Sequence, residues 1–139
     1  MKRVVFVVYD TSLIGGAERI SLMLANSLTS DYKVTVISLF QKEDGPIVDL
    51  DSSIDHFVIS DKARSLRLGR CLFVWKIMKL LKRIGPSHLV AVTAGVNPIV
   101  DLVATRTGNP WIYWEHSSLQ NQSYGKNHYR RQKLGIDKS

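Results

Sequence analysis

The chain has 139 residues, 45% of them hydrophobic and 22% charged, which suffices for one α/β domain with a packed core and is too short for two. Its single cysteine, Cys71, excludes an internal disulfide and a metal site built on clustered thiolates. The formal charge of +7 is uneven: residues 1–61 sum to −4, 62–83 hold eight basic side chains and no acid, 84–123 sum to −1 and 124–139 to +4.

The N-terminus begins like a secretory signal, with Lys2-Arg3 before an apolar run, but that run stops at Asp10 with no small-residue cleavage site. No stretch reaches the roughly 18 apolar residues of a membrane span. These features predict a cytosolic protein. Val4 to Val8 reads as a buried strand running through a polar loop into Gly15-Gly16-Ala17-Glu18-Arg19. An apolar-periodic helix follows, with Ile20, Met23, Leu24 and Leu28 on one face. Two glycines thus stand where a parallel strand hands over to a helix N-terminus. Bare backbone N–H groups and the positive end of the helix dipole can hold a phosphate there, and a glycine lets the anion approach closely. A tight turn without a ligand explains the same residues equally well.

A second strand is expected at Lys33–Leu39, an acidic loop at Gln41–Asp55 and a third strand at Phe57–Ile59. Arg67 to Ile84 reads as the longest helix, stopped by Gly85-Pro86, and Cys71 on it as a buried, inert thiol. Leu89–Val92 is a fourth strand. Asn97-Pro98 opens a helix, with Asn97 as its cap and proline at its first position, and Gly108-Asn109-Pro110 closes it. Trp111–Trp114 is a fifth strand; Trp111 and Trp114 are expected to pack in the core rather than to stack on sugars. The polar, basic stretch after His116 carries helical potential near 127–134. Alternating strands and helices predict a Rossmann-like parallel sheet, wound right-handed and covered by helices on both faces. Ligands bind such sheets at the carboxyl ends of the strands, here the segments around Gly15-Gly16, Thr93–Gly95 and Glu115-His116.

Taken together, Gly15-Gly16-Ala17-Glu18-Arg19, the helix ending Leu24-Ala25-Asn26-Ser27-Leu28, the strand from Val34 and the later Trp114-Glu115-His116 resemble the N-terminal domain of the GT-B-fold retaining glycosyltransferases of family 4. The resemblance covers nearly the whole chain but only the N-terminal half of that architecture. It implies an acceptor-side domain at 1–116, followed by a basic tail or the start of the next helix at 117–139. The family usually has Gly-His-Glu-Val before its second strand, where this chain has Asp31-Tyr32-Lys33-Val34. The family's C-terminal domain, with its basic pair and Glu-x7-Glu motif for the nucleotide sugar, has no counterpart in these residues.

By this resemblance Gly15 and Gly16 approach the donor diphosphate, whose charge grows as the glycosidic bond breaks, and His116 contacts the donor sugar at the reaction centre. Glu115 is a rival to His116 as a base on the acceptor hydroxyl, although neighbours on a strand point to opposite faces. Thr93, Gly95 and Asn97 are candidates for the acceptor site; Glu18 is either a cleft residue or a helix-start residue favoured by the dipole. The expected partners are a nucleotide sugar and a cell-envelope glycan or lipid-linked acceptor, with a donor domain on a separate subunit if the enzyme is split. No cofactor, metal or nucleic acid is expected.

On the basic helix, Leu72, Trp75, Lys76, Lys79, Lys82 and Arg83 fall opposite the apolar face. They suit either an anionic membrane surface, on the inner face of the plasma membrane, or a solvated helix face. A second functional reading is a non-catalytic α/β module that binds a phosphorylated ligand or a partner protein. The two differ in one structural respect: a transferase half implies an exposed apolar patch beside the fifth strand. A dinucleotide-dependent dehydrogenase is disfavoured, because the loop lacks Gly-x-Gly-x-x-Gly and the second strand ends at Ser38-Leu39-Phe40 without an acid for the ribose.

Overall fold

Strands and helices alternate as β1 (Arg3–Asp10), α1 (Gly16–Ser27), a 3-10 turn (Leu28–Ser30), β2 (Lys33–Phe40), β3 (Asp55–Val58), α2 (Arg70–Ile84), β4 (His88–Val92), α3 (Asn97–Thr107) and β5 (Trp111–Trp114). They are seen in a computed structural model that describes residues 2–12, 16–42, 45–60, 69–85, 87–92 and 95–114. The five strands form one sheet in the order β3-β2-β1-β4-β5, with every pairing parallel. β1 lies at the centre, with Val4 opposite Val34 on one side and His88 on the other.

That position explains the unbroken Val-Val-Phe-Val-Val run. A central parallel strand is covered on both faces, so alternate side chains enter two different cores. Val5 and Val7 pack with Ile37, Leu39, Leu89, Ala91 and Tyr113 beneath α2 and α3. Phe6 and Val8 pack on the other face with Val34, Val36 and Val92 against Leu22 and Ala25 of α1. The segment after β2 helps close that second core through Val48, Leu50 and Ile54. Asn26 ties the segment to α1 by donating to the Asp49 carbonyl and accepting from the Asp51 N–H, both at 2.8 Å.

The covering is unequal. Beside β4 and β5 the α1 face carries no helix among the described residues, and an apolar groove of about 450 Å³ opens there. Val4, Leu24, Leu28, Val90, Ile112 and Trp114 contribute to its lining.

Several local expectations are corrected. The stripe of Ile20, Met23 and Leu24 on α1 is exposed, while Ser21, Leu22 and Ala25 face the sheet. Small residues beside one leucine let the helix approach the strands closely, and Ser21 satisfies its hydroxyl on the Glu18 carbonyl at 2.8 Å. β3 begins at Asp55 and ends at Val58, two residues and one residue ahead of the expected ends, because Asp55 already pairs opposite Thr35. Cys71 is exposed rather than buried; the first turn of α2 projects it away from the core that Phe73 and Val74 enter. Val96, not Asn97, caps α3; Asn97 is the first helical residue and makes no side-chain cap. Gly108 closes α3 as expected, in the left-handed region at φ 76° with its N–H on the Ala104 carbonyl at 2.8 Å. Trp111 and Trp114 are half-buried against opposite cores.

Candidate functional site

The strand order reverses at β1: β2 and β3 lie to one side, β4 and β5 to the other. Crevices outside the carboxyl ends of strands at such a reversal are where open α/β sheets bind ligands. Two helices begin at this edge, α1 after β1 and α3 after β4, so two positive helix ends flank the crevice.

Gly16 is the first residue of α1 and is exposed. A Cβ added to it would meet no atom of the described chain within 4 Å, and its backbone is not in the left-handed region. Among the described residues nothing around it requires a glycine. Glu18 lies half-buried in the first turn of α1, Gly95 is half-buried before α3, and Asn97 is fully buried at the start of α3. Gly16 and Glu18 at the start of α1, and Gly95 and Asn97 at the start of α3, thus lie at the same edge of the sheet. Gly15, Thr93, Glu115 and His116 lie outside the described residues.

A polar network at the exit of β1 is not announced by the sequence. Asp10 is 2% exposed. Its Oδ1 accepts from the Ser12 N–H at 2.8 Å and from the Ser12 hydroxyl, and its Oδ2 accepts from the Lys42 N–H at 2.9 Å. The Thr11 N–H donates to Ser38 Oγ at 3.0 Å, the Ser38 hydroxyl donates to the Phe40 carbonyl, and the Ile47 N–H donates to the Thr11 carbonyl at 2.7 Å. One carboxylate and one hydroxyl therefore fix the exits of β1 and β2 together. Among the described residues no three His, Cys, Asp or Glu side chains gather as a metal site.

Thr11 Oγ1 also lies 3.2 Å from His56 Nε2. Burial of this imidazole lowers its pKa from the ordinary 6.5. The unfolded chain therefore binds the proton more readily. Folding stability does not depend on this group above the ordinary pKa, and it falls as acidification passes downward through that value. The urea midpoint is expected to be lower at pH about 5 than at about 7.5. Replacing His56 with Gln should remove part of that difference, and an unchanged pH dependence in the variant would assign it to other groups.

On α2, Trp75, Lys79, Lys82 and Arg83 are exposed, while Leu72 and Lys76 are half-buried. Lys76 Nζ reaches the Ile59 carbonyl at 3.4 Å, so this lysine leans toward β3 more than the helical projection implies.

The sheet and its crossovers define a Rossmann-like α/β domain with a glycine-led helix at the reversal point, the fold found in one half of GT-B glycosyltransferases. No family model matches the chain. Over 120 residues it is 26% identical to an uncharacterized glycosyltransferase of Haemophilus influenzae, a match that takes in 86% of this chain and 33% of that protein. Its fold superimposes with a TM-score of 0.66 on the apo form of the lipopolysaccharide outer core galactosyltransferase WaaB, at 14% identity, over 96% of this chain and 37% of that one. The chain thus spans about a third of the length of each. No helix among the described residues is long and apolar enough to cross a membrane.

Proposed function

We propose that the chain is the acceptor-side domain of a retaining, family-4-like hexosyltransferase. In this reading the enzyme moves a sugar from a nucleotide-sugar donor to a cell-envelope polysaccharide or lipid-linked acceptor, at the cytoplasmic side of the plasma membrane. The observation that carries the reading is Gly16. It opens α1 at the reversal point of the sheet, and among the described residues there is space where a side chain would stand and no contact that calls for glycine. A glycine kept free of a Cβ beside bare helix N–H groups suits a diphosphate, whose charge rises as it leaves the sugar. The glycosyltransferase relative and structural neighbour support the same class.

His116 follows β5 by two residues and is assigned to the donor sugar, with Glu115 as the alternative group on the acceptor hydroxyl. Gly95 and Asn97 flank the acceptor side together with Thr93. The apolar face beside β5, with Ile112 59% exposed, is the surface that a domain working against a second unit would carry, and it favours this reading over a self-sufficient binding module. Without a donor domain, on the same polypeptide or a separate subunit, the chain is expected not to turn over, since both walls of the cleft stabilise the transition state.

Titrating the isotope-labelled chain with UDP and GDP tests the reading. Amide shifts centred on residues 16–18 are expected, with affinity of roughly millimolar order. Replacing Gly16 with Ala should weaken binding roughly tenfold while raising stability by about 0.4–1 kcal/mol through the more ordered unfolded-state backbone. Shifts confined elsewhere, or equal binding by the variant, would remove the glycine turn from the donor site.

A further inference from the structure

After its first turn, helix α1 presents no charged face. Ser21, Leu22 and Ala25 lie on the sheet, Leu24 and Leu28 form one wall of the groove over β4 and β5, and Ile20 and Met23 stand 50% and 55% exposed. No charged residue occurs from Ile20 to Ser30. A helix at a protein surface normally shows water a charged side, whereas one that is apolar all round is buried. The groove beside it has matching dimensions. It spans two strands, about 10 Å, which is the width of one helix. β4 runs about 16 Å beneath it, and α1 is about 18 Å long. Each chain therefore carries, side by side on one face, an apolar helix in need of cover and a groove that seats one such helix.

We propose that this face joins two copies of the chain about a two-fold axis parallel to the strands, with α1 of each copy seated in the groove of the other. The rotation leaves the two helices side by side in one layer between the two sheets. Leu24 and Leu28 then meet their own symmetry mates, while Ile20 and Met23 rest on the partner's Val90 and the partner's Ile112. A two-fold contact is self-complementary, so one rotation covers both faces of both copies; an unrelated helix in the groove would leave Ile20 and Met23 bare.

Charge agrees with this arrangement. α1 runs antiparallel to the strands, so the rotation carries its C-terminal end to the amino edge of the other copy's groove. That edge holds Lys2 and His88, and no carboxylate is among the described residues that line the groove. The arriving helix end has no basic residue in its last turn, carries the negative end of the helix dipole and leads to the exposed Asp31. One helix length by two helix widths makes a footprint of about 18 by 20 Å. Side-chain relief brings its accessible area near the roughly 600 Å² per partner at which stable interfaces begin. The inference goes beyond the transfer reading: it makes the second unit at this face a copy of the chain and makes no use of the carboxyl-edge crevice. Its failure would leave the nucleotide titration of residues 16–18 untouched.

The test is sedimentation equilibrium of the full chain, with a dimer expected at roughly micromolar protein. Met23→Glu and Ile112→Glu each place a carboxylate in the shared layer and should raise the dissociation constant about 100-fold or more. Both positions are exposed in the single chain, so both variants should fold, which circular dichroism checks. Trp75→Glu, on the outer side of α2, should dimerise as the original does. Because a residue beside the axis meets its own copy, Leu24→Cys in a Cys71→Ser background should form an intermolecular disulfide on mild oxidation. Thr105→Cys, exposed on α3, should not do so in the same background. A monomer at roughly 100 μM, undiminished association of both Glu variants, or cross-linking no faster at position 24 than at 105 would each overturn the proposal.

Discussion

Replacing Phe73 with Ala is expected to remove about 3–5 kcal/mol of stability, close to the whole margin of a small domain. Phe73 is fully buried in α2 and meets Phe40 edge-on, with ring centroids 5.3 Å apart and planes at 83°; Phe40 in turn packs against Tyr9 at 5.1 Å. The ring therefore joins the helix to the exits of β1 and β2, and an alanine would leave a cavity that close-packed strands cannot collapse into. Urea denaturation is the measurement. Replacement by Leu should cost markedly less, because it restores most of the volume, and a loss under about 1 kcal/mol for Ala would mean that this part of the core relaxes freely.

The second large effect is expected at Asp10. Changing it to Ala takes the acceptor away from the buried Ser12 N–H and hydroxyl and from the part-buried Lys42 N–H at once. Roughly 3 kcal/mol should be lost, most of it the cost of leaving buried donors without a partner. Asn is a revealing comparison: its carbonyl can still accept from Ser12, but its NH2 group then meets the Lys42 N–H donor to donor, so over half the loss should remain. Amide exchange at residues 12 and 42 would accelerate in both variants. An Asn variant as stable as the original would show that the loop after β2 is held by other contacts.

The core strands were legible because apolar runs bounded by Gly, Pro and Asp leave few alternatives, and the stop signals at Gly85 and Gly108 acted where glycine was needed. Gly85 takes φ 95° and Gly108 φ 76°, both strained for other residues. The orientation of α1 was not legible. Ile20, Met23 and Leu24 make a stronger stripe than Ser21, Leu22 and Ala25, and hydrophobicity alone does not register that small side chains permit close packing. The Asn97 cap failed for a related reason: Val96 already has helical dihedrals and is buried, so the helix starts one residue earlier than its composition suggests. The glycine that opens α1 could be read locally, as the first residue of an apolar-periodic helix. The polar network at the exit of β1 was not legible, since Thr11, Ser38 and His56 meet only once three parallel strands have paired, and nothing local to any of them announces the others.

The central placement of β1 also has a consequence in time. During synthesis one edge of β1 can pair with β2 soon after Phe40 has emerged, but its other edge waits for β4, which starts at His88. At roughly 5–20 residues per second, the intervening stretch takes about 2–10 s to produce. Through that interval the nascent chain presents Val4 to Val7 as an open, valine-rich strand edge, a template for pairing with any other extended chain nearby. Production of the protein should therefore be limited less by the strength of its finished core than by what shields that edge in those seconds. Slowing translation between β2 and β4 should lower the soluble yield, whereas slowing it after β4 should not.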